Sequence, residues 1–249
     1  MPDELLFWKK DEQIVFIKLS GIENKQEKIR QLSDELFNLF SSINVDTDIQ
    51  VVVIAFTGEI RLDDVISHGE FTPNPFSLSK LISEFHRPVI AAIQGDIIGI
   101  MLELALACDM RIASESSHFG LPHIRTGAIP SDGGTQRLAR IVGRSKAMEM
   151  ILTGESIDAR DAFKWGLVNQ LSKPENLMSV ATKIASGIAS KAPVAVRYAK
   201  EAIVKGMDLK LEQGLRLEAD LYFLLHTTSD RIEGIKAFQE KRKPRFHGR

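Results

Sequence analysis

Two apolar runs, residues 49–56 and 88–94, constrain the fold more than any other feature of this chain. Both are rich in Val, Ile and Ala, and neither alternates polar with apolar positions. A strand of that composition has both faces buried, which calls for helices above and below a largely parallel sheet. The intervening segments supply them. Residues 24–42 place Ile29, Leu32, Leu36, Phe37 and Phe40 on one helical face, and residues 76–86 do the same with Leu78, Leu81, Ile82 and Phe85. Residues 99–107 read as a third helix and 110–113 as a further strand. Strand, helix, strand, helix, strand is the rhythm of an α/β architecture. Two short strands, 5–8 and 14–19, flank a polar turn at 9–12 before it begins.

Beyond Ser131 the pattern turns helical. Short helical stretches at 135–142, 145–153 and 158–165 lead to a small strand at 167–171. Four longer amphipathic stretches follow at 176–190, 193–206, 209–225 and 229–240. Pro193 suits a first helical turn and Ser229 an N-cap. The expected division is an α/β core over residues 1–190 and a helical region over 191–249. So regular a set of apolar helical faces needs a surface to pack on, either the core or a neighbouring subunit.

The balance of 32 basic against 33 acidic side chains gives a net charge of −1, which offers nucleic acid no bulk attraction. Cys108 is the one cysteine and makes neither an internal disulfide nor a thiolate metal cluster. The N-terminal residues show no basic stretch ahead of an apolar run, and no apolar run reaches the ~18–20 residues a membrane helix needs. The expectation is a cytoplasmic protein without metal and without membrane contact.

Chemistry is concentrated in two segments. In the first, residues 87–113, a buried strand ends at Gln94-Gly95 and a helix opens near Gly99. The unpaired N–H groups and partial positive charge of a helix start suit a carbonyl that gains negative charge. Glu103 lies one turn inside, flanked by Leu102, Leu104 and Ala105. Desolvation there would raise its pKa; read by itself, it is equally an exposed glutamate of an amphipathic helix. The second segment, residues 119–138, is a Gly- and Pro-rich loop carrying His123 and leading into a helix that Asp132 or Thr135 could cap. No Gly-x4-Gly-Lys-Ser/Thr phosphate loop is present.

Together these segments resemble the enoyl-CoA hydratase/isomerase (crotonase) family. The resemblance is carried by Pro88-Val-Ile-Ala-Ala92, Gly95, Gly99, Glu103-Leu-Ala105, Cys108-Asp109 and Arg111-Ile-Ala113. It continues through Phe119-Gly-Leu-Pro122, Ile129-Pro130 and Gly133-Gly-Thr-Gln-Arg-Leu138. Further on, 147–154, 162–168 and 231–244 match as well. It implies a ClpP/crotonase-like spiral of ββα units with a C-terminal helical trimerisation region, forming a homotrimer or a hexamer of two trimers. It implies an acyl-CoA thioester as substrate, with coenzyme A part of that substrate and no separate cofactor. Two backbone N–H groups would hold the thioester oxygen and stabilise an enolate. One scaffold then serves hydration, isomerisation, hydrolysis or decarboxylation.

Carried over position by position, Glu103 matches the first hydratase glutamate, and His123 stands where the second would be. Ile100 matches one oxyanion-hole N–H. The other falls at Asp63, with Leu62 or Asp64 as neighbouring choices, because residues 57–65 are shorter than the family's pattern and lack its signature. Ser131, Phe238 and Lys241 match substrate- and CoA-contacting positions, the last two often reaching a neighbouring subunit's site. Asp132 reads as a cap of the helix after it or, second, as a side chain turned into the site, and His68 reads as a surface residue. Ile100 and Met101 add bulk where relatives keep small residues, which implies a narrowed acyl pocket. A Glu103–His123 pair can exchange protons near neutral pH and so fits enoyl-CoA hydration. An isomerase lacks its customary carboxylate here, and a chain that binds acyl-CoA without turnover is also compatible.

Overall fold

The computed structural model describes residues 6–19, 26–57 and 78–249. Its main sheet runs in the order β1 (Leu6–Asp11), β2 (Ile14–Leu19), β3 (Val51–Thr57), β4 (Val89–Gln94), β6 (Met110–Ser114) and β9 (Gln170–Ser172). Strand β1 pairs antiparallel with β2, and every later neighbour is parallel. The strictly alternating pleat divides the apolar residues between two cores. Val52, Ile54, Phe56, Val89, Ala91 and Ile93 face one side. Val51, Val53, Ile90 and Ala92 face the other.

On the first side lie α1 (Gln26–Val45), α2 (Leu78–Ser83), α3 (Ile100–Leu106) and α4 (Gly134–Thr153). On the second lies α6 (Leu177–Ala189), whose Ala181, Ala185 and Ala189 at four-residue spacing let the helix sit close on the sheet. Both faces of β3 and β4 are therefore covered, as their unbroken apolar composition requires.

A second sheet has no counterpart in the sequence reading. Strand β5 (Ile97–Ile98) pairs parallel with β7 (His118–Gly120), which pairs antiparallel with β8 (Ile157–Asp158). Strands of two or three residues are too short to show a period. The remaining elements are α5 (Ala159–Lys164), two 3-10 turns, η1 (Pro122–Thr126) and η2 (Pro174–Asn176), and the helices α7 (Pro193–Gly206), α8 (Leu211–Leu225) and α9 (Ser229–Gln239).

The stretches 135–142 and 145–153 are two helical segments, as expected, that meet at a kink at Gly143 (φ 80°, ψ 160°) and together make up α4. Other boundaries differ from expectation for identifiable reasons. Thr228, not Ser229, caps α9, its hydroxyl accepting the Arg231 N–H. Neither Asp132 nor Thr135 caps α4; Gly133 occupies that position with φ 96° and makes no side-chain cap.

Buried Arg111 fastens the end of α3. Its guanidinium donates to the Cys108 carbonyl at 2.6 Å, to Leu167 at 2.7 Å and to Ala105 at 3.3 Å. Cys108 lies beside it, and burial pushes its thiol up to about 12, so it is chemically quiet. At the C-terminus α7 packs against α8, while Ile203, Met207, Leu211, Leu215 and Phe223 stand exposed. No helix among the described residues is long and apolar enough to cross a membrane.

Candidate functional site

The site forms where the main sheet hands the chain to the small one. After β4 the backbone passes through Gly95 (φ 93°) and β5 to Gly99, at φ 64° and ψ −130°. Only glycine holds such a conformation without strain, so Gly99 decides where α3 can begin. The Gly99 N–H donates to the Gly120 carbonyl at 2.9 Å, locking the start of α3 to the end of β7. Two residues past β7, η1 begins at Pro122. That one bond therefore fixes α3 and η1 relative to each other, and with them Glu103 and His123.

Glu103 is 1% exposed. Its Oε1 accepts the backbone N–H groups of Asp132 at 2.7 Å and Gly134 at 2.8 Å. The carboxyl thus occupies the start of α4, where donors and helix dipole favour an anion. Burial outweighs them and raises its pKa, assisted by the charge of Asp132, while the N–H groups of Gly134, Asp132 and Ser131 oppose it. The second oxygen, Oε2, faces His123 Nε2 at 3.7 Å. Burial lowers the His123 pKa, with the Leu121 backbone acting against it. His123 Nδ1 is buried and makes no hydrogen bond of normal geometry.

Glu103 and His123 come together across a gap slightly longer than a hydrogen bond. One carboxyl oxygen is held by the main chain and the other is left toward the imidazole. Because burial pushes both groups toward their uncharged forms, a single proton can be shared by the pair.

Other residues singled out from sequence are distributed as follows. Ile100 opens α3, where its N–H has no acceptor within the helix. Ser131 is exposed, and its backbone adjoins the Glu103 carboxyl. Asp63, with Leu62, Asp64 and His68, lies outside the described residues. Phe238 is 85% exposed and Lys241 is exposed, so a single chain leaves both in solvent.

The basic tail is only partly solvated. Arg242 forms a two-pronged pair with Glu233 at 2.6 and 2.9 Å and also meets Glu240; the Arg242 pair and the Arg245 N–H hold the Glu233 carboxyl down to about 2. What sequence reasoning missed was a partner of Asp132 distant in sequence: its carboxylate accepts the Ser79 N–H of α2. It also missed the two backbone donors on Glu103. The Gly133-Gly134 pair was the available signal for a close approach. Among the described residues no group of three or more His, Cys, Asp and Glu could hold a metal ion.

Comparison with known proteins places this geometry in context. Residues 9–249 match the family model described as enoyl-CoA hydratase/isomerase. The chain is similar to the 2,3-dehydroadipyl-CoA hydratase of Escherichia coli, 35% identical over 98% of this chain and 99% of that protein. It is also similar to the (E)-benzylidenesuccinyl-CoA hydratase of Thauera aromatica, 36% identical over 90% of this chain and 93% of that one. Among solved structures, the enoyl-CoA hydratase of Bacillus anthracis superposes with a TM-score of 0.90 at 35% identity, covering 99% of this chain and all of that one.

Proposed function

Because the chain belongs to the enoyl-CoA hydratase/isomerase family, we propose that it adds water to a 2-enoyl-CoA thioester, with Glu103 and His123 sharing the proton traffic. It is an enoyl-CoA hydratase-like enzyme of acyl-CoA substrates, and its fold is that of the crotonase-fold hydratases. The choice of hydration rests on one observation, the single free oxygen of Glu103 lying 3.7 Å from His123 Nε2.

The proton balance closes on that pair. The resting form in this reading is a protonated Glu103 beside a neutral His123; burial moves both groups in that direction. His123 takes a proton from water as the water oxygen bonds to C3. The π electrons move through C2 to the thioester oxygen, which the Ile100 N–H and, by the resemblance, the donor near Asp63 stabilise as an enolate. Glu103 then gives its proton to C2. A carboxylate and an imidazolium remain side by side, and the proton returns from His123 to Glu103.

Turnover of crotonyl-CoA to 3-hydroxybutyryl-CoA across a pH series tests this. The working form carries one proton on the pair. Falling pH adds a second by protonating His123, and rising pH removes the first from Glu103. A bell-shaped kcat/KM profile is expected, with both limbs belonging to the pair. His123→Gln should abolish the acid limb and lower kcat ~100-fold. A profile without limbs, or a His123→Gln variant at wild-type rate, removes the pair from the mechanism. Double-bond migration, CoA release or decarboxylation in place of hydration assigns another reaction of the family. Acyl-CoA binding without any turnover assigns an impaired subunit.

Ile100 and Met101 border the same site, and Met101 is 6% exposed within the core. Their bulk supports a narrowed acyl pocket. Four-carbon enoyl esters are expected to exceed long straight-chain esters at least ~10-fold in kcat/KM, a modest pocket discrimination. Equal turnover of both lengths contradicts the narrowing. The exposed apolar faces of α7–α9 support assembly as a homotrimer or as two stacked trimers. Such an assembly would offer Phe238 and Lys241 to the CoA moiety bound by a neighbour, with Ser131 contacting substrate in the chain's own site.

A further inference from the structure

The residue least explained by the reading above is Asp132, a carboxylate 8% exposed and one residue from the exposed Ser131. Both of its ends are engaged. Its backbone N–H donates to Glu103 Oε1 at 2.7 Å, and its Oδ2 accepts the Ser79 N–H at 2.9 Å. Its carbonyl accepts from Arg137 Nη1 at 2.8 Å, while Nη2 of the same guanidinium reaches Ser83 Oγ at 3.2 Å. The loop that grips Glu103 is thereby tied at two points to α2, a helix that otherwise meets α3 through apolar packing.

We propose that Asp132 is a positioning residue for the reaction, clamping the Glu103 carboxyl to helix α2 by its backbone at one end and its carboxylate at the other. The assignment rests on the hydration reading only for its kinetic consequences. The clamp does two separable things. Its hydrogen bond to Ser79 fixes the loop, so that the N–H groups on Glu103 stay aimed. Its negative charge, close to a second buried carboxyl, favours the protonated form of Glu103. Among the described residues, His123 on η1 faces Glu103, Arg137 on α4 binds the Asp132 carbonyl, and Lys80 on α2 is exposed.

Two substitutions distinguish these effects. Asp132→Asn keeps an oxygen for the Ser79 N–H and loses the charge. Asp132→Ala loses both. With crotonyl-CoA as substrate, Asp132→Asn is expected to keep kcat within about threefold at its own optimum, while its alkaline limb moves down by ~0.5 pH unit or more. Asp132→Ala should show the same displacement and, in addition, a kcat at least ~10-fold lower with KM little changed.

Titration of the Glu103 carboxyl by carbon NMR in wild type and Asp132→Asn supplies a readout independent of turnover. A Glu103 titration displaced downward in the variant supports the clamp even if no enoyl-CoA is hydrated, which separates this proposal from the hydratase reading. An unmoved Glu103 titration in Asp132→Asn overturns it. So does a folded Asp132→Ala with wild-type kcat.

Discussion

Glu103→Gln is expected to retain less than about one thousandth of wild-type crotonyl-CoA turnover, within the range that a lost general acid–base group costs. The replacement alters little else. Glutamine keeps an oxygen where Oε1 accepts the Asp132 and Gly134 N–H groups at 2.7 and 2.8 Å, so the loop and the start of α4 keep their anchor. What it removes is the proton that must reach C2. Steady-state rates measured beside a melting curve check the expectation. A folded variant within tenfold of wild type would place the proton donor elsewhere.

The same variant carries a stability prediction whose sign follows from burial. The folded-state pKa of Glu103 is raised, so between its unfolded and folded values the native chain binds more protons than the unfolded one. Stability from this group is therefore greatest at low pH and falls as pH rises through the folded value. Above that value wild type holds a buried carboxylate and Glu103→Gln does not. The melting temperature of the variant should equal or exceed that of wild type there, so lost activity cannot be ascribed to lost folding.

Much of this arrangement was legible in the sequence because its causes are local. The two doubly buried strands announced a covered parallel sheet, and structure places helices on both sides of them. Glu103 was marked by apolar neighbours in a short helix, and its burial at 1% exposure settles the choice between buried acid and surface glutamate. His123 was placed by the family resemblance, at the position after Phe119-Gly-Leu-Pro122, and it lies opposite Glu103.

What escaped depends on contacts distant in sequence. The Gly99–Gly120 bond joins residues whose local patterns reveal nothing of each other. Asp132 was read as a possible cap for the helix just after it, yet it binds Ser79, 53 positions earlier. Local propensity favours the nearest helix end; the folded chain offers every helix end that comes within reach.

Gly134 provides the second large test, and it works by geometry where Glu103→Gln works by chemistry. A Cβ added at Gly134 would lie 2.8 Å from Pro130 Cβ, 2.9 Å from Glu103 Oε1 and 3.0 Å from Glu103 Cγ. Something must give, and α3 has little freedom to retreat, since Met101, Leu102 and Leu104 are all buried beside Glu103. The carboxyl is the part that can turn.

Turning takes Oε1 away from its backbone donors and Oε2 away from His123, and a misplacement of about 1 Å can cost ~100-fold. Gly134→Ala is accordingly expected to lower kcat ~100-fold and stability by ~1–3 kcal/mol, the usual penalty of overpacking. The N–H bonds it weakens are those that hold the Glu103 pKa down. Its alkaline limb should therefore move to higher pH, opposite to the displacement expected for Asp132→Asn. Gly187→Ala, on a helix position where a Cβ meets nothing within 4 Å, serves as the neutral comparison. If Gly134→Ala kept both its rate and its pH profile, the Glu103 carboxyl would not be acting from the position it occupies against α4.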